Sequence, residues 1–228
     1  MTIQKFIRFS GIALLVAGIS TLLWWLGLAV FIPLEGIETG YLNLVKDGDW
    51  LWVNIIGLVA TMLLPVGFFG LYLKQAKESG KLGFIGFLCA FFGSLLFMCI
   101  QYIETILWPI FTEHASGLLE HKGAMFTNTT FNTFYMLMGV LLALGFIILG
   151  ISTMLSRVLP KWGALFMLIG GTAFSLAISI VIIRTIGIIL LTVGLVWLGY
   201  AIWRQATPGF PEVEDAKKRV AGLKSQIP

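Results

Sequence analysis

The chain has 228 residues, of which 58% are hydrophobic and 11% charged, with a mean hydropathy of +0.96 and a formal net charge of +4. A soluble fold of this length covers itself with about a quarter charged residues, so the composition excludes a water-exposed globule and points to a surface that meets lipid. The basic residues sit in short segments between apolar runs, which gives no reason to expect a nucleic-acid partner.

A hydrocarbon core of about 30 Å takes roughly 20 helical residues. Six runs reach that length, at about residues 9–32, 51–73, 82–108, 131–155, 162–183 and 185–203. The prediction is an all-α fold, a six-span transmembrane helical bundle over residues 1–207 with a cytoplasmic tail at 208–228. Lys5 and Arg8 precede the first run as in a signal peptide, but the run is too long for one and no A-x-A site follows, so it reads as an uncleaved span. Pro65 is expected to kink the second. Between the fifth and sixth runs only Arg184 intervenes. One helix across both would be about 63 Å long, so a turn is expected near residues 179–185, with the Arg184 head reaching interfacial water. In the tail, Val213, Ala216, Val220 and Leu223 share a helical face, and Glu214/Lys218 and Asp215/Arg219 are i,i+4 pairs, the pattern of a short amphipathic helix.

Orientation follows from charge. Lys5, Arg8, Lys74, Lys77, Lys81, Arg157, Lys161, Arg204 and four tail residues, Lys217, Lys218, Arg219 and Lys224, fall on one side, against Lys46, Lys122 and Arg184 on the other. Positive-inside bias puts both termini in the cytoplasm of a multi-pass plasma-membrane protein. Trp50, Trp52 and Trp108 are expected at the outer boundary and Trp162 and Trp203 at the inner one. A repeated pattern, Lys81-Leu-Gly83 and Lys161-Trp-Gly163, hints at duplication of a helical hairpin.

Ionisable groups within spans are the first candidates for function. Glu104, beside Gln101 and Tyr102 near the end of the third run, is a candidate ligand group; an interfacial carboxylate reaching water is the bland alternative. The second outer loop holds Glu113-His114 and, seven residues on, Glu120-His121, which on one helix would form a glutamate stripe and a histidine stripe on the outer face. Seven residues separate the histidines by about 10.5 Å, too far to share a metal, so no metal site is expected. A pH-sensitive patch and ordinary polar coverage both remain open. Asp47-Gly48-Asp49 is a turn signal. Outside the membrane, Glu35, Glu38, Asp47, Asp49, Glu113 and Glu120 outweigh Lys46, Lys122 and Arg184, an acidic balance that favours a cationic ligand. No nucleotide-binding or catalytic motif occurs, so neither a cofactor nor an enzyme is the favoured expectation.

Small residues mark helix contacts: Ala13 and Ala17 in the first run, Gly83, Gly86, Ala90 and Gly93 in the third, Gly187 and Gly194 in the sixth. They serve the bundle, a second copy or another membrane protein. Residues 159–163, Leu-Pro-Lys-Trp-Gly, together with 194–204, Gly-Leu-Val-Trp-Leu-Gly-Tyr-Ala-Ile-Trp-Arg, resemble the C-terminal halves of uncharacterised multi-span bacterial membrane proteins, a likeness that implies no activity. Six spans with both ends inside, and Ala13-Leu-Leu-Val-Ala17 in the first, are similar to the substrate-binding subunits of energy-coupling-factor vitamin transporters. That likeness implies outer loops covering a ligand and a small-residue face meeting a coupling subunit; the charged tail departs from the pattern. The functional expectation is a non-enzymatic accessory or interaction subunit of a membrane complex, then a small-solute binding or transport protein with an acidic outer vestibule, and last a membrane enzyme.

Overall fold

The computed structural model describes residues 2–32, 41–120, 122–176 and 181–205. Its elements are α1 (Ile3–Phe31), α2 (Leu42–Val45), α3 (Asp49–Tyr102), a π-helical turn (Ile103–Leu107), α4 (Trp108–His114), α5 (Ala124–Thr127), α6 (Thr129–Ser156), α7 (Lys161–Leu176) and α8 (Val181–Gln205). The fold is all-α, with no strand among the described residues. Among the described residues, four stretches are long and apolar enough to cross a bilayer: Ile3–Phe31, Asp49–His114, Thr129–Ser156 and Val181–Gln205; α7 is apolar but shorter. Large apolar side chains such as Met136, Leu155 and Ile182 point outward, about 70% exposed. An outer surface of this kind is stable in lipid and not in water.

As a rod, α3 would extend about 81 Å. It is folded double instead. Gly80 has φ 54° and ψ −147°, a backbone region open essentially to glycine alone, while a Cβ there would touch nothing. The angle, and not crowding, requires glycine. Beyond it the chain runs back: Tyr72 stacks on Phe87 at 4.9 Å and Phe69 packs on the same ring at 5.6 Å, where a straight helix would hold these pairs more than about 20 Å apart. The arms, residues 49–79 and 81–102, remain paired to their far ends, where Gln101 Nε2 donates to Asn54 Oδ1 at 2.9 Å. Pro65 lies buried in the first arm, where the backbone angles stay helical.

Neighbours in the chain are neighbours in space. α1 packs on the first arm of α3, the second arm on α6, α6 on α7, α7 on α8, and α8 back on α1, closing a ring of six helical segments. The small residues named from the sequence are all buried within this ring. A Cβ on Gly86 would lie 2.5 Å from the Leu149 nitrogen, one on Gly93 2.7 Å from that of Leu142, and one on Gly187 2.9 Å from that of Phe174; Gly194 abuts Met167, Gly83 abuts Ser79, and Ala90 receives Gly145. Such contacts bring backbones close enough for dispersion to hold helices together in lipid.

The two ends of the ring differ in charge. Lys5, Arg8, Lys74, Lys77, Lys81, Arg157, Lys161 and Arg204 gather at the end that holds the start of α1, the Gly80 turn and the end of α8, and Lys74 Nζ donates there to the Gln205 carbonyl at 3.1 Å. The opposite end, here the loop end, carries α2, α4 and α5. The last helix starts at Val181, so residues 181–183, expected to close the fifth run, belong to the sixth; 177–180, in which the turn was expected to begin, lie outside the described residues. So do the tail with its amphipathic pattern, Glu35, Glu38 and His121.

Candidate functional site

At the loop end the second arm stops being a regular helix. Pro109 has no N–H for the Thr105 carbonyl four residues earlier and its ring crowds that carbonyl, and the helix widens into the π turn just before it. Trp108 N–H bonds to the Ile103 carbonyl, which leaves the Glu104 carbonyl to accept from Trp50 Nε1 at 3.0 Å; one turn earlier the Thr105 hydroxyl donates to the Gln101 carbonyl at 2.5 Å. Asn54 organises the surroundings from the first arm: its Oδ1 accepts from Trp24 Nε1 at 3.2 Å and Gln101 Nε2 at 2.9 Å, and its Nδ2 donates to the Trp50 carbonyl at 2.9 Å. A buried amide serving three helical segments costs little only because each of these bonds is made.

This network walls a cavity of about 170 Å³. Its lining draws on residues far apart in sequence: Trp24, Trp25 and Leu28 from α1, Tyr41 and Leu44 from the first loop, Trp50, Asn54, Phe97 and Ile100 from α3, Glu104 from the π turn, Trp108 from α4, Tyr135 from α6, and Val181 and Arg184 from α8. Trp50 and Trp108 stack at 5.7 Å with 17° between planes, and Tyr41 packs on Trp108 at 4.9 Å. The Arg184 guanidinium lies 5.0 Å from the Trp25 ring and 5.4 Å from that of Phe174.

The loops cover the cavity. Tyr41 N–H donates to the Leu119 carbonyl at 3.0 Å, and its ring stacks on Phe126 at 5.2 Å, tying the first loop to the second. Leu44, Val45 and Leu119 are buried beneath. Asp47 Oδ1 accepts from Asp49 N–H at 2.9 Å, the turn that the Asp-Gly-Asp sequence anticipates. Burial holds the Tyr41 phenol above its usual 10.0; the Glu104 carboxylate pushes the same way and the Arg184 guanidinium the other.

The predicted site residues are divided by this geometry. Glu104 lines the cavity and Gln101 is buried behind it, whereas Tyr102, on the opposite side of the same turn, is exposed. Glu113, His114 and Glu120 are exposed and away from the cavity lining, and Glu113 and His114 lie 3.8 Å apart. A single helix through them does not form: α4 ends at His114 and Ala115 has φ −151° and ψ 48°. No group of three or more His, Cys, Asp or Glu poised for a metal occurs among the described residues. Trp50 and Trp108, expected at the lipid boundary, are buried in the cavity wall, while Trp52, Trp162 and Trp203 stay exposed. Arg184 stands half-buried in the first turn of α8 at the loop end, on the face of Gly187 and Ile188, and lines the cavity.

Sequence reasoning missed Asn54, Trp24, Trp25, Tyr41 and Tyr135. One signal was present: Asn54 is the only amide inside the second apolar run, and an amide there needs partners. Comparison of the chain with protein-family models, curated proteins and solved structures gave no match.

Proposed function

We propose that this chain is a six-span plasma-membrane protein with both termini in the cytoplasm, and that its loop-end cavity, opening on the outer side, binds a small polar solute. The hairpin at Gly80 divides the long Asp49–His114 stretch into two segments of spanning length, and the apolar α7, 16 residues long, is counted here as the fifth span. Collection of the basic residues at one end supports the orientation by positive-inside bias. A bacterial source follows the resemblance of the C-terminal segments.

The observation that carries the binding reading is the cavity itself, where a carboxylate and a guanidinium meet an aromatic wall under two interlocked loops. A concave, largely apolar site with a few convergent polar groups is the usual form of a small-molecule pocket. The accessory-subunit reading needs a free small-residue face, and the named glycines and alanines are taken up by the chain's own helices. The likeness to vitamin-binding subunits therefore contributes its loop-covered ligand site, and not its coupling contact through Ala13 and Ala17.

The binding reading is tested by native mass spectrometry of the full chain in mild detergent, with Leu44→Trp as the variant that fills the cavity. A small-molecule adduct lost in the variant is the expected result; identical spectra would refute the site. For orientation, Ser116→Cys should react with an impermeant maleimide on intact cells and Arg157→Cys only after permeabilisation, both in a background with Cys89 and Cys99 replaced. The reverse pattern would invert the topology.

A further inference from the structure

Glu104 and Arg184 share the cavity without sharing a bond. No ion pair within 4.0 Å joins them, or joins either to another side chain, among the described residues. The Arg184 Nε is buried and has no hydrogen-bond partner. Opposite charges bordered by apolar walls are costly while uncompensated. Direct pairing would remove the cost; here the guanidinium is held over the rings of Trp25 and Phe174 instead.

The wall narrows the chemistry further. The indole N–H groups of Trp24, Trp25 and Trp50 are committed to Asn54 Oδ1, Thr185 Oγ1 and the Glu104 carbonyl. What these residues offer a ligand is ring surface, which suits an alkylated cation better than a strongly hydrated one. Trp108 Nε1 is buried without a partner and remains able to donate. One carboxylate among rings thus faces the same space as one guanidinium with an idle indole N–H nearby.

We propose that the cavity takes a small zwitterion, its alkylated ammonium held by Glu104 and the aromatic rings and its carboxylate by Arg184. The inference rests on the solute-binding reading above. A simple cation would leave Arg184 uncompensated, and a simple anion would leave Glu104 so. Size agrees, since a cavity of about 150 Å³ accepts benzene and this one has about 170 Å³, room for a molecule like trimethylglycine.

The test is a tryptophan-fluorescence titration of the full chain in lipid nanodiscs with three probes: trimethylglycine, choline with the same cationic end and no carboxylate, and 3,3-dimethylbutyrate with the same shape and no positive charge. Trimethylglycine should bind at least tenfold more tightly than either relative. Glu104→Gln should weaken trimethylglycine at least tenfold and spare 3,3-dimethylbutyrate, and Arg184→Gln should weaken it likewise and spare choline. Equal binding of the three probes by the unmodified chain overturns the proposal, even if neither variant folds. So does an equal loss of all three in both variants at unchanged melting temperature. If no probe binds while the Leu44→Trp-sensitive adduct persists, the zwitterion assignment fails and the solute site stands; loss of both removes the two readings together.

Discussion

Gln75 and Gln101 stand on opposite arms of the same hairpin, near its opposite ends, and both are fully buried. At the basic end the Gln75 amide is used up: Nε2 donates to Thr153 Oγ1 at 2.8 Å, and Oε1 accepts from Ser156 Oγ at 3.1 Å. At the loop end Gln101 donates to Asn54, but its Oε1 has no partner among the described residues, and neither have Trp108 Nε1 and Arg184 Nε. Ser79 Oγ is the exception at the basic end. Packing differs as well. Gly86, Ala90 and Gly145 bring the second arm and α6 into backbone contact in the basic half, whereas around the cavity indole and phenol rings stand between the segments, although α7 and α8 still touch closely at Gly187. Buried polar groups satisfied by the chain lock helices together; those left idle around a cavity are available to a ligand. Substitutions at the basic end should therefore reduce stability and spare binding, and those at the loop end should do the reverse.

The largest effect is expected from Gly86→Val. Its new Cβ meets the Leu149 backbone, which has no rotamer with which to yield, and the loss should be about 3 kcal/mol, read by reversible unfolding in detergent. Gly117→Val at the loop end, where a Cβ meets nothing within 4 Å, should leave the curve in place and sharpens the contrast. Next comes Gly80→Val, which forces a β-branched residue to positive φ and should cost about 1–3 kcal/mol in the same assay. Gln75→Leu should cost about 1 kcal/mol, since it removes two inter-helical hydrogen bonds. Gln101→Leu should cost less, because it also deletes an unsatisfied acceptor. An equal or larger loss for Gln101→Leu would break the comparison.

The smallest effect is electrostatic. The Tyr41 phenol should ionise above pH 10.0, so its neutral form adds stability that is complete below that pH and is lost as pH rises through the folded-state value. Glu104→Gln should lower that value and Arg184→Gln should raise it, read as tyrosinate absorbance against Tyr41→Phe. Shifts of the same sign in both variants would show that the two groups do not oppose each other across the cavity.

Much of the bundle was legible in the sequence because its determinants are local. Apolar run length, the glycines at steps of three and four, and the distribution of lysine and arginine report on neighbours within a turn or on the solvent. The hairpin was legible too, as the basic break between the second and third runs. Glu104 stood out because a carboxylate in an apolar run has few innocuous explanations. The rest of the site was hidden for a physical reason: it is assembled by ring closure, which brings Trp24, Asn54, Tyr135 and Arg184 together from four helices. Tryptophan near a run's end signals lipid interface and cavity wall alike, and only the inward register of Trp50 and Trp108 separates them from Trp52. The repeated Glu-His pairs misled, since their register presumes a helix that ends at His114.

The most direct test is the distance between the Glu104 carboxylate and the Arg184 guanidinium in a high-resolution structure of the full chain in lipid, prepared with trimethylglycine. The expected result is two side chains held apart, each in contact with non-protein density that fills the cavity between the tryptophans. A direct ion pair with the rings closed around it and no density between would contradict the account.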